Sequence, residues 1–247
     1  MGQETVITGQ DARHLARVLR LKSGEDVVLL SGDGREFLAR ISCVDSGSVT
    51  AAVLSEYVSK ADPGIELTVC LGFLKEKKMD DLVRQLTELG MSKFQPFFAR
   101  RSVSRPDQAR MVSRVGRWGK IVRESIKQCR RGSVPEVFPA VTFEDALRLS
   151  KGDDVKILFY EGEPRLEPFS QNRYSKAGES LKVTILLGPE GGFTEDEVAA
   201  ARLANFDIRS LGPRILRAET AVVAACTLVQ YVYGDMGVST RGDGGRR

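Results

Sequence analysis

Histidine and paired cysteines are scarce in this chain. The 247 residues include a single histidine, His14, and four cysteines that form no CxxC pair. Structural zinc sites use clusters of cysteine and histidine, so we expect no metal ion. A hydrolase triad needs a histidine as its base, so that chemistry would require His14 itself. Scattered thiols are typical of small buried side chains in a reducing compartment, which predicts a cytoplasmic protein.

Long apolar runs and phosphate-binding loops are also missing. No segment reaches the roughly 18 consecutive apolar residues of a membrane-spanning helix. The polar start of the chain, MGQETVITGQD, differs from a signal peptide. The sequence contains neither a GxxxxGK[ST] loop nor a GxGxxG fingerprint. These absences disfavour a membrane protein, a P-loop enzyme and a dinucleotide-binding enzyme.

Positive charge is concentrated in one segment of the chain. Between Arg100 and Arg131 there are eleven Lys or Arg residues and two acidic ones, which gives this segment a net charge of +9. The whole chain carries only +4, so the remainder has a net charge of −5. A basic block in an otherwise acidic protein predicts a polyanionic partner.

The basic segment has the pattern of an amphipathic helix over about 107–130. On a helical wheel, Met111, Trp118 and Ile126 fall with three other apolar residues on one arc, and eight cations spread over the opposite arc. Glu124 is the only acid among them. A surface helix that is merely solvated normally mixes both signs, so we favour binding of a phosphate backbone. Aromatic residues are not interleaved with the charges, which disfavours base stacking.

The first 64 residues have the pattern of a small β domain. A short helical stretch at 11–21 precedes three strands between 27 and 54, which are separated by turn residues. Closely spaced strands of this kind predict a small barrel. The best linker is SKADPG at 59–64.

Strands and helices alternate from residue 65 to about 235, which predicts an α/β fold with a parallel sheet covered by helices. The last helix is apolar on nearly every side, so we expect it to be buried inside the domain or against a second subunit. Composition predicts a flexible tail at 236–247. The predicted strands lie at 65–74, 93–98, 155–160, 183–187 and 207–211, and the predicted helices at 79–90, 107–130, 194–205 and 219–233.

Two glycine-containing junctions follow strands of this region. LLGPEGGFTEDEV occupies 186–198, LGPRILRAETAV occupies 211–222, and each passes from an apolar run through Gly-Pro towards a helix. Ligands of open α/β sheets bind at the carboxyl ends of the strands. Glu190 in the first turn would repel a phosphate, so we expect a neutral or cationic ligand. The alternative is an ordinary strand-to-helix turn in which glycines only permit positive φ.

At these residues the chain resembles the ribosomal RNA small subunit methyltransferase E family. The two junctions look like the signature of that family, and HLARVLRLKSGE at 14–25 is similar to its N-terminal domain. The blocks at 75–103 and 117–131 resemble its central segments. The resemblance implies a PUA-like β-barrel over 1–64 and a knotted SPOUT methyltransferase domain over 65–235. It also implies that S-adenosylmethionine is the methyl donor and that the acceptor is N3 of a uridine in small-subunit ribosomal RNA, either naked or in an assembled particle. The active form implied by the resemblance is a homodimer.

The resemblance further implies which residues form the site. A fixed cation beside the ring oxygens of the acceptor would favour its anion. Arg217 is the first candidate for that cation and Arg214 the second, although Arg217 could instead be an ion-pair partner of Glu219. Glu219 and Glu190 are candidate proton acceptors, and water is the alternative. The predicted catalytic residues are therefore Arg217 and Glu219. The predicted cofactor-binding residues are Phe159, Leu187, Gly188, Pro189, Glu190, Gly191, Gly192, Leu211, Gly212, Ile215, Leu216, Arg217 and Ala218, and the predicted RNA-binding residues are Arg13, Arg20, Arg100, Arg101, Arg114, Arg117, Arg123, Lys127 and Arg131.

Two other function classes stay open on the sequence alone. A non-catalytic RNA-binding or ribosome-assembly protein needs only the basic helix and the β domain, with the glycine junctions as scaffolding. An enzyme acting on nucleotide phosphates is disfavoured by the missing P-loop lysine and by Glu190. Binding of S-adenosylmethionine distinguishes the methyltransferase from the RNA-binding protein.

Overall fold

The computed structural model describes residues 3–163 and 180–237, and the predicted tail lies outside them from position 238 onward. The chain forms two compact units. The sequence predicts a boundary after residue 64, but the first unit also includes a segment from much later in the chain, residues 129–134. The N-terminal unit comprises Met1–Asp62 and Cys129–Val134, and the C-terminal unit comprises Pro63–Gln128 and Pro135–Arg247.

A four-stranded antiparallel sheet forms the N-terminal unit. Its strands are β1 (Glu4–Thr8), β2 (Asp26–Leu30), β3 (Arg35–Val44) and β4 (Ser48–Val58), in the spatial order β1-β4-β3-β2. The three predicted strands are confirmed. The sequence analysis does not predict strand β1. Its positions alternate between exposed and half-buried, but its polar and apolar residues do not follow that alternation. A short helix, α1 (Gly9–Arg13), and a π-helical turn at His14–Val18 stand where the sequence predicts one helical stretch.

The segment 129–134 is held in the N-terminal unit by backbone hydrogen bonds. The N–H of Gly34 donates to the carbonyl of Gly132 at 3.1 Å, and the N–H of Val134 donates to the carbonyl of Gly32 at 3.0 Å. Gly32 and Gly34 have φ values of +88° and +95°, a region that favours glycine. Pairing between residues so far apart in the chain leaves no local pattern, so the sequence does not predict it.

A parallel sheet forms the centre of the C-terminal unit, which confirms the predicted α/β class. The spatial order is β11-β9-β10-β5-β6-β7, with β8 also paired to β6, and every neighbouring pair is parallel. Strands β7 and β8 have two residues each, too few to show a periodicity. The strands are β5 (Ile65–Gly72), β6 (Lys93–Phe98), β7 (Glu136–Val137), β8 (Val141–Thr142), β9 (Val155–Phe159), β10 (Leu181–Leu187) and β11 (Asp207–Arg209).

Helices cover both faces of this sheet. They are α2 (Glu76–Glu88), α3 (Gln108–Cys129), α4 (Phe143–Leu149), α5 (Glu195–Leu203) and α6 (Ala218–Val232). Because side chains alternate along a strand, Leu67, Val69 and Leu71 of β5 join the core that contains buried residues of α2, α3 and α6. Cys70 joins the other core, with α4 and α5.

Burial along α3 and α6 tests the predictions that were made from helical periodicity. On α3, Met111, Trp118 and Ile126 are buried, as the helical wheel predicts. On α6 one face is buried, but Leu228 is 38% exposed and Tyr231 is 58% exposed. Burial within the chain therefore does not cover every side of α6. Neither α6 nor another helix of the described residues is apolar over enough length to cross a bilayer.

Candidate functional site

A cavity of about 480 Å³ lies at the ends of β9, β10 and β11, and both glycine junctions line it. Small-molecule sites have volumes of roughly 300–1,000 Å³. The cavity thus brings together two segments that the sequence predicts to share a ligand, although Gly191 of the predicted set is not in its lining. The predicted cofactor-binding residues in the lining are Phe159, Leu187, Gly188, Pro189, Glu190, Gly192, Leu211, Gly212, Ile215, Leu216, Arg217 and Ala218.

Close packing explains most of the glycines at the first junction. Gly192 has a φ of +67°, and a Cβ there would lie 2.6 Å from Glu161 Oε1. Gly188 has no positive φ, but its Cβ would lie 3.2 Å from the backbone of Gly192. Gly72, the last residue of β5, is tighter, since its Cβ would lie 2.4 Å from the backbone nitrogen of Pro189. Positive φ therefore accounts for Gly192 but not for Gly188, whose close contact lies within the turn itself, and Gly72 belongs to β5.

The second junction places two arginines beside the cavity. Gly212 has a φ of +111°, and its N–H donates to Ser210 Oγ at 3.3 Å. Arg214 and Arg217 are exposed residues of the lining, and Arg217 directly precedes α6. Within residues 3–163 and 180–237, no carboxylate lies at ion-pair distance from Arg217. Arg217 and Glu219 therefore do not form an ion pair at contact distance, although Arg217 lies near enough to lower the pKa of Glu219 electrostatically.

Lys78 is a residue of this cavity that the sequence analysis does not identify. Its Nζ lies 2.8 Å from Glu219 Oε1 and 3.3 Å from Glu190 Oε1. Lys78 belongs to the run KEKK at 75–78, which has the pattern of a solvated helix start. No local signal separates it from its neighbours, and only the fold brings it to the two junctions.

The contact with Lys78 stabilises the ionised form of Glu219. The hydrogen bond from Lys78 lowers the pKa of Glu219 below its ordinary value, although burial acts in the opposite direction. The same contact raises the pKa of Lys78. Glu219 is therefore a weak proton acceptor, which disfavours a role as general base. Its second oxygen, Oε2, is buried and has no hydrogen-bond partner among the described residues.

A second cavity, of about 220 Å³, lies on the cationic side of α3. Its lining residues are Asp80, Arg110, Ser113, Arg114 and Arg117. Arg117 pairs with Asp80 at 2.7 Å, and the guanidinium of Arg114 lies 5.4 Å from the centre of the Phe73 ring. Asp107 also pairs with Arg110 at 3.4 Å, so three arginines outnumber two carboxylates and the local field still favours an anion.

Most of the predicted RNA-binding residues lie on the surface, and two of them also hold the first junction in place. Arg100 pairs with Asp196 at 2.8 Å, and Arg101 donates to the carbonyl of Gly191 at 3.0 Å. These two arginines therefore have a structural role whether or not they contact RNA. The exposed members of the set are Arg13, Arg20, Arg100, Arg101, Arg117, Arg123 and Lys127, and Arg114 is half-buried.

The surface position predicted for Arg131 is wrong. Arg131 is 3% exposed, and its guanidinium lies 3.7 Å from the carboxylate of Asp62 within the N-terminal unit. The helical wheel assigns it to the cationic arc, but α3 ends at Cys129 and Arg130 has a φ of +61°. The chain leaves the helical periodicity before Arg131, so this residue is not part of the exposed basic surface.

Metal ligands do not gather in the described part of the chain, where no group of three such side chains is found. The four cysteines are free thiols, and Cys70 and Cys226 are buried. Burial raises the pKa of the Cys70 thiol, so this group packs as an inert side chain.

Comparisons with known proteins find relatives over most of the chain. A family model described as an RNA methyltransferase domain matches residues 61–230, and one described as an RNA methyltransferase PUA domain matches residues 7–54. The ribosomal RNA small subunit methyltransferase E of Bacillus subtilis is 31% identical over 91% of this chain and 89% of its own length. The Rickettsia conorii protein of the same name is 32% identical over 89% of this chain and 86% of its own.

Two solved structures with a bound ligand are similar to this fold. The ribosomal RNA small subunit methyltransferase E of Neisseria gonorrhoeae, bound to S-adenosyl methionine, has a TM-score of 0.79 at 30% identity. A Legionella pneumophila methyltransferase in complex with the same cofactor has a TM-score of 0.82 at 25% identity. Each likeness covers 95% of this chain and 94% of the solved chain.

Proposed function

Because the chain belongs to the ribosomal RNA small subunit methyltransferase E family, we propose that it transfers a methyl group from S-adenosylmethionine to N3 of a uridine in small-subunit ribosomal RNA. The observation that carries the proposal is the cavity of about 480 Å³ that both glycine junctions line. The basic α3 supplies the surface that an RNA strand requires. A non-catalytic RNA-binding or ribosome-assembly protein would need α3 but not this cavity.

The lining of the cavity fits a small molecule that carries charges of both signs. Glu161, Glu190 and Glu219 contribute three carboxylates that can face positive charge on a ligand, and three cations of the same lining balance them overall. Gly188 and Gly192 carry no side chain, and both line the cavity. A phosphate would meet Glu190 in the middle of the first turn. These features suit S-adenosylmethionine better than a nucleoside phosphate.

The proposed chemistry is an in-line displacement in which the protein mainly positions the reactants. When bound, S-adenosylmethionine supplies a methyl group on a positively charged sulfur, and the neutral thioether of S-adenosylhomocysteine is the leaving group. Arg217 lies at the cavity as a cation without an ion pair among the described residues, so it can stabilise negative charge on the ring oxygens of the acceptor. Arg214 is the second candidate for this role. Water takes the N3 proton, because the pKa of Glu219 is lowered and its carboxylate is a weak base.

The proposed partner is small-subunit ribosomal RNA, either naked or in an assembled particle. Arg114, Arg117, Arg123 and Lys127 on α3 would contact phosphates, as would Arg100 and Arg101 beside the first junction. Arg13 and Arg20 are exposed cations of the N-terminal unit that would act in the same way. Contacts of this kind supply affinity that falls with salt and carry no sequence preference.

We also propose that the active form is a homodimer with a trefoil-knotted sheet, located in the cytoplasm. The uncovered side of α6, with Leu228 and Tyr231 exposed, is the apolar surface that supports a second subunit. A Tyr231→Glu substitution would place a charge on this surface. Sedimentation equilibrium should then show a smaller assembly for the variant than for the wild type, and equal masses would exclude this face as the interface.

The function is tested by pairing calorimetry with methyl transfer. The wild type should bind S-adenosylmethionine, and absence of any heat of binding would favour the non-catalytic protein. Arg217→Ala should lower methyl transfer by about 100-fold while sparing cofactor affinity, since it removes the cation beside the acceptor. Arg148→Ala, which removes an exposed arginine of α4 paired with Asp145, is the matched control and should be unaffected. Undiminished turnover of Arg217→Ala would remove Arg217 from the mechanism.

The acceptor is tested in cells. Small-subunit ribosomal RNA from cells that lack this protein should lose one methylated uridine by mass spectrometry. Loss of a methyl group from another base would contradict the proposed acceptor.

A further inference from the structure

Lys78 connects the two junctions of the cavity through one charged group. Its Nζ contacts Glu219, in the first turn of α6, at 2.8 Å and Glu190, in the first junction, at 3.3 Å. The Lys78 side chain is 36% exposed and each glutamate side chain is 31% exposed. All three groups are thus about two-thirds shielded from water. The contact joins three segments that lie far apart in the sequence.

The carboxylates of Glu190 and Glu219 can remain close to each other only because Lys78 lies between them. Since both contact the same Nζ, Glu190 Oε1 and Glu219 Oε1 lie no more than 6.1 Å apart. Like charges at this separation repel each other, and partial burial strengthens the repulsion. Without the cation, the first junction and the start of α6 would be driven apart.

Lys78 also balances the charge of the cavity. The lining contains three cations and three carboxylates, namely Lys78, Arg214 and Arg217 with Glu161, Glu190 and Glu219. Loss of Lys78 would leave the lining with an excess of one negative charge. Such a lining favours S-adenosylmethionine, whose sulfur is positively charged, over the product S-adenosylhomocysteine, whose sulfur is neutral.

We propose that Lys78 is a positioning residue of the cofactor cavity, which holds Glu190 and Glu219 together so that the two junctions keep the spacing that a bound ligand requires. This inference rests on the proposed function, because it assumes that the cavity takes S-adenosylmethionine. It predicts two separable effects of removing the lysine. Loosening of the junctions lowers the affinity for both ligands, and the altered charge shifts the binding preference of the cavity towards S-adenosylmethionine.

The test compares four variants of the full chain by calorimetric titration with S-adenosylmethionine and with S-adenosylhomocysteine. Lys78→Met should lower the affinity for S-adenosylhomocysteine by about tenfold and the affinity for S-adenosylmethionine by less. Lys78→Arg keeps the positive charge and should bind both ligands within about threefold of the wild type. Lys78→Met combined with Glu190→Gln removes both the repulsion and the excess negative charge, so it should bind S-adenosylhomocysteine more tightly than Lys78→Met alone and should restore the wild-type ratio of the two affinities.

Lys93→Met is the matched control. Lys93 pairs with Glu66 at the opposite ends of the strands, and these side chains are 37% and 31% exposed. This variant also loses a partly shielded ion pair, and it should bind both ligands as the wild type does. A thermal melt of every variant separates a loss of folding from a loss of binding.

The outcomes divide cleanly. Lys78→Met with wild-type affinity for both ligands would overturn the proposal, and so would an equal loss in Lys93→Met. A double variant that binds S-adenosylhomocysteine more weakly than Lys78→Met does would also overturn the proposal, since repulsion between the carboxylates would not be the cause of the loss. A wild type that binds neither ligand would instead refute the proposed function itself. If Lys78→Met does not fold, near-normal binding by Lys78→Arg and by the double variant still supports the proposal, and failure of both overturns it.

Discussion

Alanine in place of Gly72 tests whether the end of β5 determines the position of the first junction. Gly72 pairs with Phe97 of β6, and the junction crosses directly over it. A Cβ on Gly72 would lie 2.4 Å from both the nitrogen and Cδ of Pro189, and 2.9 Å from the carbonyl carbon of Gly188. Ordinary contacts begin at 3.4 Å, so one of the two segments must move by about 1 Å.

The size of the effect follows from the rigidity of the neighbouring atoms. Overpacking costs about 1–3 kcal/mol, and backbone and proline-ring atoms cannot turn away as a side chain does, so we expect about 2–3 kcal/mol. For a unit of this size the melting temperature should fall by about 4–10 °C. Methyl transfer should fall further, by up to about 100-fold, because a shift of about 1 Å disturbs the alignment of the reactants.

The assay compares Gly72→Ala with Gly152→Ala in thermal melts, cofactor titration and single-turnover methyl transfer. Gly152 lies in a turn after α4, and a Cβ there would have no neighbour within 4 Å. The control should be neutral, or more stable by less than about 1 kcal/mol. If Gly72→Ala melts and binds cofactor as the wild type does, the junction is not held by contact with β5, and the reasoning is wrong.

Sequence patterns predict those parts of the molecule that depend on neighbours in the chain. The buried arc of α3 follows from helical periodicity, which Trp118 and Ile126 confirm. The start of α5 follows from a capping box, in which Thr194 Oγ1 accepts from the N–H of Glu197 and the Glu197 side chain accepts from the N–H of Thr194. Both junctions are visible for the same reason, since Gly-Pro after an apolar run is a local signal.

The parts that the sequence does not predict depend on distant pairs. Lys78 is one of several lysines at a helix start, and only the order of the strands brings it to Glu219. Gly72 has the pattern of an ordinary strand end, because the proline that occupies its missing side-chain volume lies more than 100 residues away. Arg131 fits the helical periodicity of α3 in the sequence. Arg130 before it has a positive φ, however, and residues 129–134 belong to the N-terminal unit. In each case the deciding interaction is non-local.

Three further substitutions test individual contacts. Arg131→Met should lower the free energy of unfolding by about 1–2 kcal/mol in urea, because it removes the buried cation beside Asp62 while the hydrogen bonds from Ser133 to Asp62 remain, and cofactor affinity should not change. Thr194→Ala removes the cap of α5 and should cost about 1 kcal/mol in the same assay, and a cost near zero would show that the cap is redundant. Glu219→Gln tests the contact with Lys78 through its pH dependence. The pKa of Glu219 is lowered in the folded state, so its ionised form contributes stability that is complete above the ordinary value of 4.5 and is lost as the pH falls through the lowered value. The wild type should therefore be more stable than Glu219→Gln near neutral pH, and the difference should shrink as the solution becomes more acidic than 4.5. A difference that stays constant or grows in acid would mean that Lys78 does not stabilise the carboxylate.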